Sequence, residues 1–301
     1  RMAIGRISEL VKRNIQLFLK NKATVFFSFL APILIFLLYT FFLGDFMTAP
    51  FLESLDYGVE LDARTFDALT SAWMIAGVIS MACFTIGLNS TLVMVEDKEK
   101  RMIGDFVASP LSPIMLHVSY FLSAFIVTFT LCFLVMTLGF LYLVIFTSLI
   151  IGFIDFLLLT GILFLGTLSA VALMLCVMSF FKSNAASAAF TGIFSALIGF
   201  LIGAYIPAGM LPRGVQNITG LIPGSHTSTL LRNTLIRRTY YTLYLPEDML
   251  ATLSNFFSFN LTLFGTTFTT RLMFVYIAIS TILFGALFFV IAYLLRCKSV
   301  K

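Results

Sequence analysis

A chain of 301 residues that is 60% hydrophobic, with 35 Phe and only 11% charged residues, is not a water-soluble domain, because soluble chains carry about 25% charge. Its mean hydropathy of +1.04 and its several unbroken apolar runs, each long enough to cross about 30 Å of hydrocarbon, indicate a polytopic helical membrane protein and argue against a barrel. The formal net charge of +5, from 19 Lys and Arg against 14 Asp and Glu, records topology in such a chain rather than nucleic-acid binding.

The first 22 residues place Ile4, Ile7, Val11, Ile15 and Phe18 at spacings of three or four, with Arg6, Lys12, Arg13, Lys20 and Lys22 largely elsewhere. That pattern predicts an amphipathic helix lying in the headgroup layer. A first span is expected over 23–43, kinked at Pro32. The following loop carries Asp45, Glu53, Asp56, Glu60, Asp62 and Asp67 against Arg64 alone. Basic residues before the span and few after it put the N-terminus in the cytoplasm.

A second span over 69–95, with Asn89 near its inner end as a possible substrate contact, returns the chain to the cytoplasm. There the insert 96–113 gathers Glu96, Asp97, Lys98, Glu99, Lys100, Arg101 and Asp105. Within it Met102, Ile103, Phe106 and Val107 form an apolar patch on one side of a short helix, the pattern of a segment that docks on an aqueous partner. Spans over 114–146 and 149–181 form a hairpin, with Asp155 near its outer bend at the level of the interface.

A fifth span over 185–204 repeats Ala185, Ala188, Gly192, Ser195, Gly199 and Gly203 every three or four residues. This strip of small side chains admits the close approach of another helix, from a second subunit or from the same one. From 205 to 270 the pattern breaks: Pro207, Pro212 and Pro223, with Gly209, Gly214 and Gly220, preclude a continuous span and predict broken or re-entrant helices. A short helix is expected at 229–236 and an outer cap at 240–270. A sixth span over 272–295 ends in Arg296, Lys298 and Lys301, which places the C-terminus in the cytoplasm. The expected fold is therefore all-α and polytopic: six transmembrane helices, an N-terminal interfacial helix, and re-entrant helices between the fifth and sixth spans.

No Gly-rich loop ending in Lys and Ser or Thr is present, so the chain carries no nucleotide-binding motif and no catalytic residues are assigned. The four Cys and two His are scattered, and neither a metal site nor a cofactor site is expected.

The arrangement resembles the permease subunits of type-2 ATP-binding-cassette exporters. Two segments carry the resemblance. One is Glu99-Lys100-Arg101-Met102-Ile103-Gly104-Asp105-Phe106-Val107-Ala108-Ser109-Pro110-Leu111-Ser112; the other is Ile206-Pro207-Ala208-Gly209-Met210-Leu211-Pro212 followed by Leu221-Ile222-Pro223. Asp105 and Phe106 stand where the family often has Thr and, soon after, Glu. The resemblance implies a bacterial cell-membrane exporter in which two separate ATPase subunits bind ATP and Mg. They would grip a coupling segment of Glu96, Asp97, Glu99, Lys100, Arg101, Met102, Ile103, Gly104, Phe106 and Val107. A second permease chain, identical or a similar paralogue, would pair through Ala188, Gly192, Ser195, Gly199 and Gly203. The sparse polarity of the spans favours a hydrophobic or amphiphilic cargo such as a drug, a lipid-like product or a peptide toxin. Polysaccharide or glycolipid export is the alternative within the class. An ATP-independent secondary transporter, or a membrane-embedded enzyme, would need mid-membrane charges or a clustered set of His, Asp or Glu.

Overall fold

The computed structural model describes residues 2–43, 63–102, 112–147, 149, 151–206, 211–242 and 261–299. In chain order these form α1 (Met2–Lys20), α2 (Lys22–Leu38) running into a π-helical turn (Tyr39–Leu43), α3 (Ala63–Ser90), α4 (Leu92–Glu99), α5 (Pro113–Thr147) and α6 (Phe153–Met178). There follow α7 (Asn184–Leu201), α8 (Arg213–Leu221), α9 (Pro223–Thr242), a two-stranded hairpin β1 (Leu261–Leu263) and β2 (Thr266–Phe268), and α10 (Thr270–Ser299). Six helical stretches are long and apolar enough to cross a membrane: Lys22–Phe41, Asp67–Glu99, Ile114–Thr147, Phe153–Met178, Asn184–Leu201 and Thr270–Ile291. The protein is an all-α polytopic membrane protein.

The bundle is built around α3. In its most apolar window 94% of residues are buried, against 17 to 28% for the spans of α2, α5, α7 and α10. α3 can be enclosed because Ala68, Ala72, Ala76, Gly77, Ser80 and Ala82 keep its cylinder narrow, so that α2, α5, α6 and α9 pack directly on it. Many hydroxyls inside the bundle return to the preceding turn, as Thr85 does to Met81, Thr128 to Ala124 and Thr167 to Leu163, and these three donors are satisfied without water. α6 meets α9 at Gly166, where an added Cβ would lie 2.4 Å from Thr227 Cγ2. Only a missing side chain permits that crossing.

Several expectations need correction. α1 packs against α5 and buries Leu10, Asn14 and Phe18; of the predicted stripe Phe18 is enclosed, Ile7, Val11 and Ile15 are half-buried, and Ile4 is 74% exposed. Helical structure continues beyond Val95, the expected end of the second span. After a break at Thr91 the helix resumes as α4, which buries Val93, Met94, Val95 and Asp97. The short helix expected at 229–236 is the 20-residue α9, because Pro223 sits in its first turn, where a missing N–H costs nothing. The cap contains a small hairpin turned by Phe264 and Gly265, both with positive φ. Ile103, Gly104, Phe106 and Val107 lie outside the described residues.

Candidate coupling end and transmembrane groove

At the end of the bundle where α4 stops, three elements meet on one carboxylate. Asp97, 2% exposed, accepts two bonds of 2.7 Å from the Arg13 guanidinium of α1 and a third of 2.6 Å from the Tyr120 hydroxyl of α5. A two-pronged pair with a further donor supplies the charge and hydrogen bonds that a buried carboxylate needs. The pairing with Asp97 also holds the Arg13 guanidinium above its ordinary range. Arg13 further donates to Asn14 Oδ1 at 3.0 Å and touches the Met102 sulfur at 3.6 Å. Lys98 reaches the other way, donating to the Ser179 carbonyl at the C-terminal end of α6 at 2.9 Å.

The remaining charges of the segment face water. Glu99, Lys100 and Arg101 are exposed, and Lys100 pairs with Glu96 one turn earlier. Arg101 has φ +57, a left-handed residue that ends α4. The predicted coupling residues thus divide in two. Asp97 turns into the protein and binds α1 and α5, whereas Glu96, Glu99, Lys100 and Arg101 remain at the surface. Arg13 and Tyr120 were not singled out by the sequence; no local spacing links either to Asp97, which lies 84 residues from Arg13 and 23 from Tyr120.

Above this knot lies a groove of about 680 Å³ between α2 and α7. Thr24, Phe27, Leu30, Ala31 and Leu34 form one wall, Ala188, Thr191, Gly192, Ser195 and Ala196 the other, and Asn89 and Leu92 the floor. Asn89 is 4% exposed and donates to the Thr85 carbonyl at 2.8 Å, leaving its Oδ1 as the polar mark of that floor. The small-residue strip therefore divides as well. Ala188, Gly192 and Ser195 line the groove, and a Cβ added at Gly192 would meet nothing within 4 Å. Gly199 is buried under Tyr205, whose ring an added Cβ would strike at 2.1 Å, and Gly203 has φ +69 where α7 ends. These last two glycines have duties inside the chain.

At the far end, Arg232 of α9 is 3% exposed, stacks 4.3 Å over the Trp73 ring and donates to the Gly203 carbonyl at 2.5 Å. It places a cation at the negative end of α7 and ties α9 to α3 and α7. Among the described residues no three His, Cys, Asp or Glu side chains come together as metal ligands.

A family model described as ABC-2 family transporter protein matches residues 65–294, most of the chain. The chain belongs to the ABC-2 transporter family. A search of curated proteins finds no match to it. Members of the ABC-2 family are permeases of ABC transporters, normally transmembrane subunits without catalytic chemistry of their own. In this ABC-2 permease the matched segment starts inside α3 and ends inside α10, so Asp97 and Tyr120 belong to it, whereas their partner Arg13 lies on the helix before it.

Proposed function

We propose that the protein is the membrane subunit of an ATP-driven exporter that moves a hydrophobic or amphiphilic molecule out of the cell. A separate ATPase pair would drive it, docking on the surface residues of the segment from Glu96 to Val107 and on α1. The observation that carries this reading is the Asp97 knot. It joins the exposed charges of α4 to α1 and α5 through short bonds on a buried carboxylate, so a displacement applied at Lys100 or Arg101 would move the interfacial helix and the spans of α3 and α5 together. ATP and Mg would be held by the partner ATPase, with none in this chain. Both termini would lie on the cytoplasmic side of the cell membrane.

Two permease chains would pair so that the grooves between α2 and α7 face a shared pathway. Support comes from the lining, mostly aliphatic and Phe with Thr, Ser and Asn89 interspersed, which suits an amphiphile better than an ion. The test is reversal of charge at Lys100 and Arg101, or Phe106→Asp, in the co-expressed pair. The ATPase is expected to be lost from the purified complex while the permease keeps its melting temperature. A retained complex with unchanged transport would overturn the reading.

A further inference from the structure

The groove between α2 and α7 has apolar walls and one polar point in its floor. Asn89 is 4% exposed, and its amide N–H donates to the Thr85 carbonyl at 2.8 Å. Among the described residues no donor reaches its Oδ1, which opens as a lone acceptor on the groove that Asn89 lines. A buried amide oxygen without a donor bears the cost of its desolvation, so it favours a ligand that brings one.

The rest of the lining narrows the chemistry. Among the described residues no Asp, Glu, Lys, Arg or His lines the groove. Lys22 and Lys182, beside the starts of α2 and α7, are exposed and outside the lining. An ion drawn between such walls would lose its hydration with no opposite charge to replace it. Thr24 and Thr191 stand at the same end as Asn89, and the Thr191 hydroxyl already donates to the Ser187 carbonyl at 2.8 Å. The remaining polar groups, on Asn21, Ser195 and Tyr205, are neutral. From Thr24 the wall continues through Phe27, Leu30 and Leu34, about 15 Å along α2, enough to cover an extended apolar chain.

We propose that the groove selects uncharged amphiphiles carrying a hydrogen-bond donor, an amide N–H or a hydroxyl, seated on Asn89 Oδ1 with the apolar part along α2, and that it rejects the same chains when they end in an ion. This selectivity rests on the groove being the cargo pathway. Asn89 sets it in two ways. A carboxylate has no proton to give and meets Oδ1 with a like partial charge. An ammonium can donate to Oδ1, but its charge stays unpaired between apolar walls. A neutral analogue that lacks the donor leaves Oδ1 unmatched, which is how a polar group in an apolar pocket tells near-identical ligands apart.

The experiment is equilibrium binding of four probes sharing one decyl chain to the whole permease in lipid nanodiscs: N-decylacetamide, its N-methyl derivative, decylammonium and decanoate. Gly192→Trp, which fills the groove, supplies the background from the surrounding lipid. Above that background the wild type is expected to bind N-decylacetamide about tenfold more tightly than the N-methyl derivative, the size of one net hydrogen bond. Neither ion is expected to bind above background. Asn89→Leu is expected to bring N-decylacetamide down to the affinity of the N-methyl derivative and to leave the latter unchanged. Asn89→Asp is expected to gain decylammonium, a new binding that a misfolded variant would not show. Equal wild-type affinity for the two amides, ions bound as tightly as N-decylacetamide, no groove-dependent binding of N-decylacetamide, or wild-type behaviour of Asn89→Leu would overturn the proposal. The measurement needs no ATPase. Lost selectivity in a permease that still captures its ATPase would sink this inference alone, and selectivity kept in a permease that captures none would sink the exporter reading alone.

Discussion

Lys98 and Ser179 join two helices that are far apart in the chain: the Lys98 ammonium, one residue after the Asp97 knot, donates to the last turn of α6 at 2.9 Å. A cation there opposes the negative end of the α6 dipole and satisfies a carbonyl that has no partner in its own helix. Lys98→Met is expected to lower stability by about 1 kcal/mol. Thermal unfolding in detergent measures it, and Lys98→Arg should recover most of the loss.

Removing the Asp97 charge leaves Arg13 and the Tyr120 hydroxyl facing an uncharged amide in a buried site. Asp97→Asn is expected to cost about 3 kcal/mol, as breaking a buried pair does, and Tyr120→Phe about 1 kcal/mol. Because the three groups act together, Asp97→Leu combined with Arg13→Met should cost less than the sum of the two single changes. Additive losses in a double-mutant cycle would contradict a shared network.

His226 donates to the Gly220 carbonyl through Nε2 at 2.8 Å and stacks on Tyr276 with ring centres 4.1 Å apart. Burial pushes its pKa down to about 4 from the ordinary 6.5. The unfolded chain therefore binds the proton more readily than the folded one. The neutral ring's contribution is complete above pH 6.5 and is lost as the pH falls toward 4. Between pH 7.5 and 4.5 this amounts to about 2 kcal/mol. Melting temperatures measured across that range should fall more steeply for the wild type than for His226→Gln, which can still reach the Gly220 carbonyl.

Gly192 faces the groove with nothing near its missing Cβ, so a large side chain there occupies the groove without disturbing the fold. Gly192→Trp is expected to shift stability by less than about 0.5 kcal/mol, in the range of surface changes. Transport assayed with the partner ATPase should nonetheless fall at least tenfold. Unimpaired transport would move the pathway away from α2 and α7.

Gly166 presents the opposite case. Its added Cβ would lie 2.4 Å from the Thr227 methyl, a distance that forces α6 and α9 apart. Gly166→Ala is expected to cost about 2 kcal/mol, a typical overpacking penalty. Thr227→Ser, which removes that methyl, should return part of the loss in the double variant.

The six spans and the family were legible because continuous apolar runs and a charged insert survive any rearrangement of packing. What the sequence hid was long-range. Asp97 reads as solvated among Glu96, Lys98 and Glu99, and only the fold brings Arg13 and Tyr120 to it. Pro223 reads as a breaker, yet it opens α9, because proline is compatible with a first helical turn. The small-residue strip of α7 suggested a helix interface along its whole length, but Tyr205 folds back over Gly199 and leaves the groove only the middle of it. The central position of α3 was open to inference from its run of Ala, Gly and Ser; α7 drew attention instead because its small residues recur at even spacing.

The enclosure of α3 separates what can change in this protein from what cannot. Substitutions in that helix meet neighbours on all sides, whereas the lining of α7, mostly open, can be altered a residue at a time without repacking the bundle. Sequence drift can therefore proceed along one helix while the packing of the rest stays fixed.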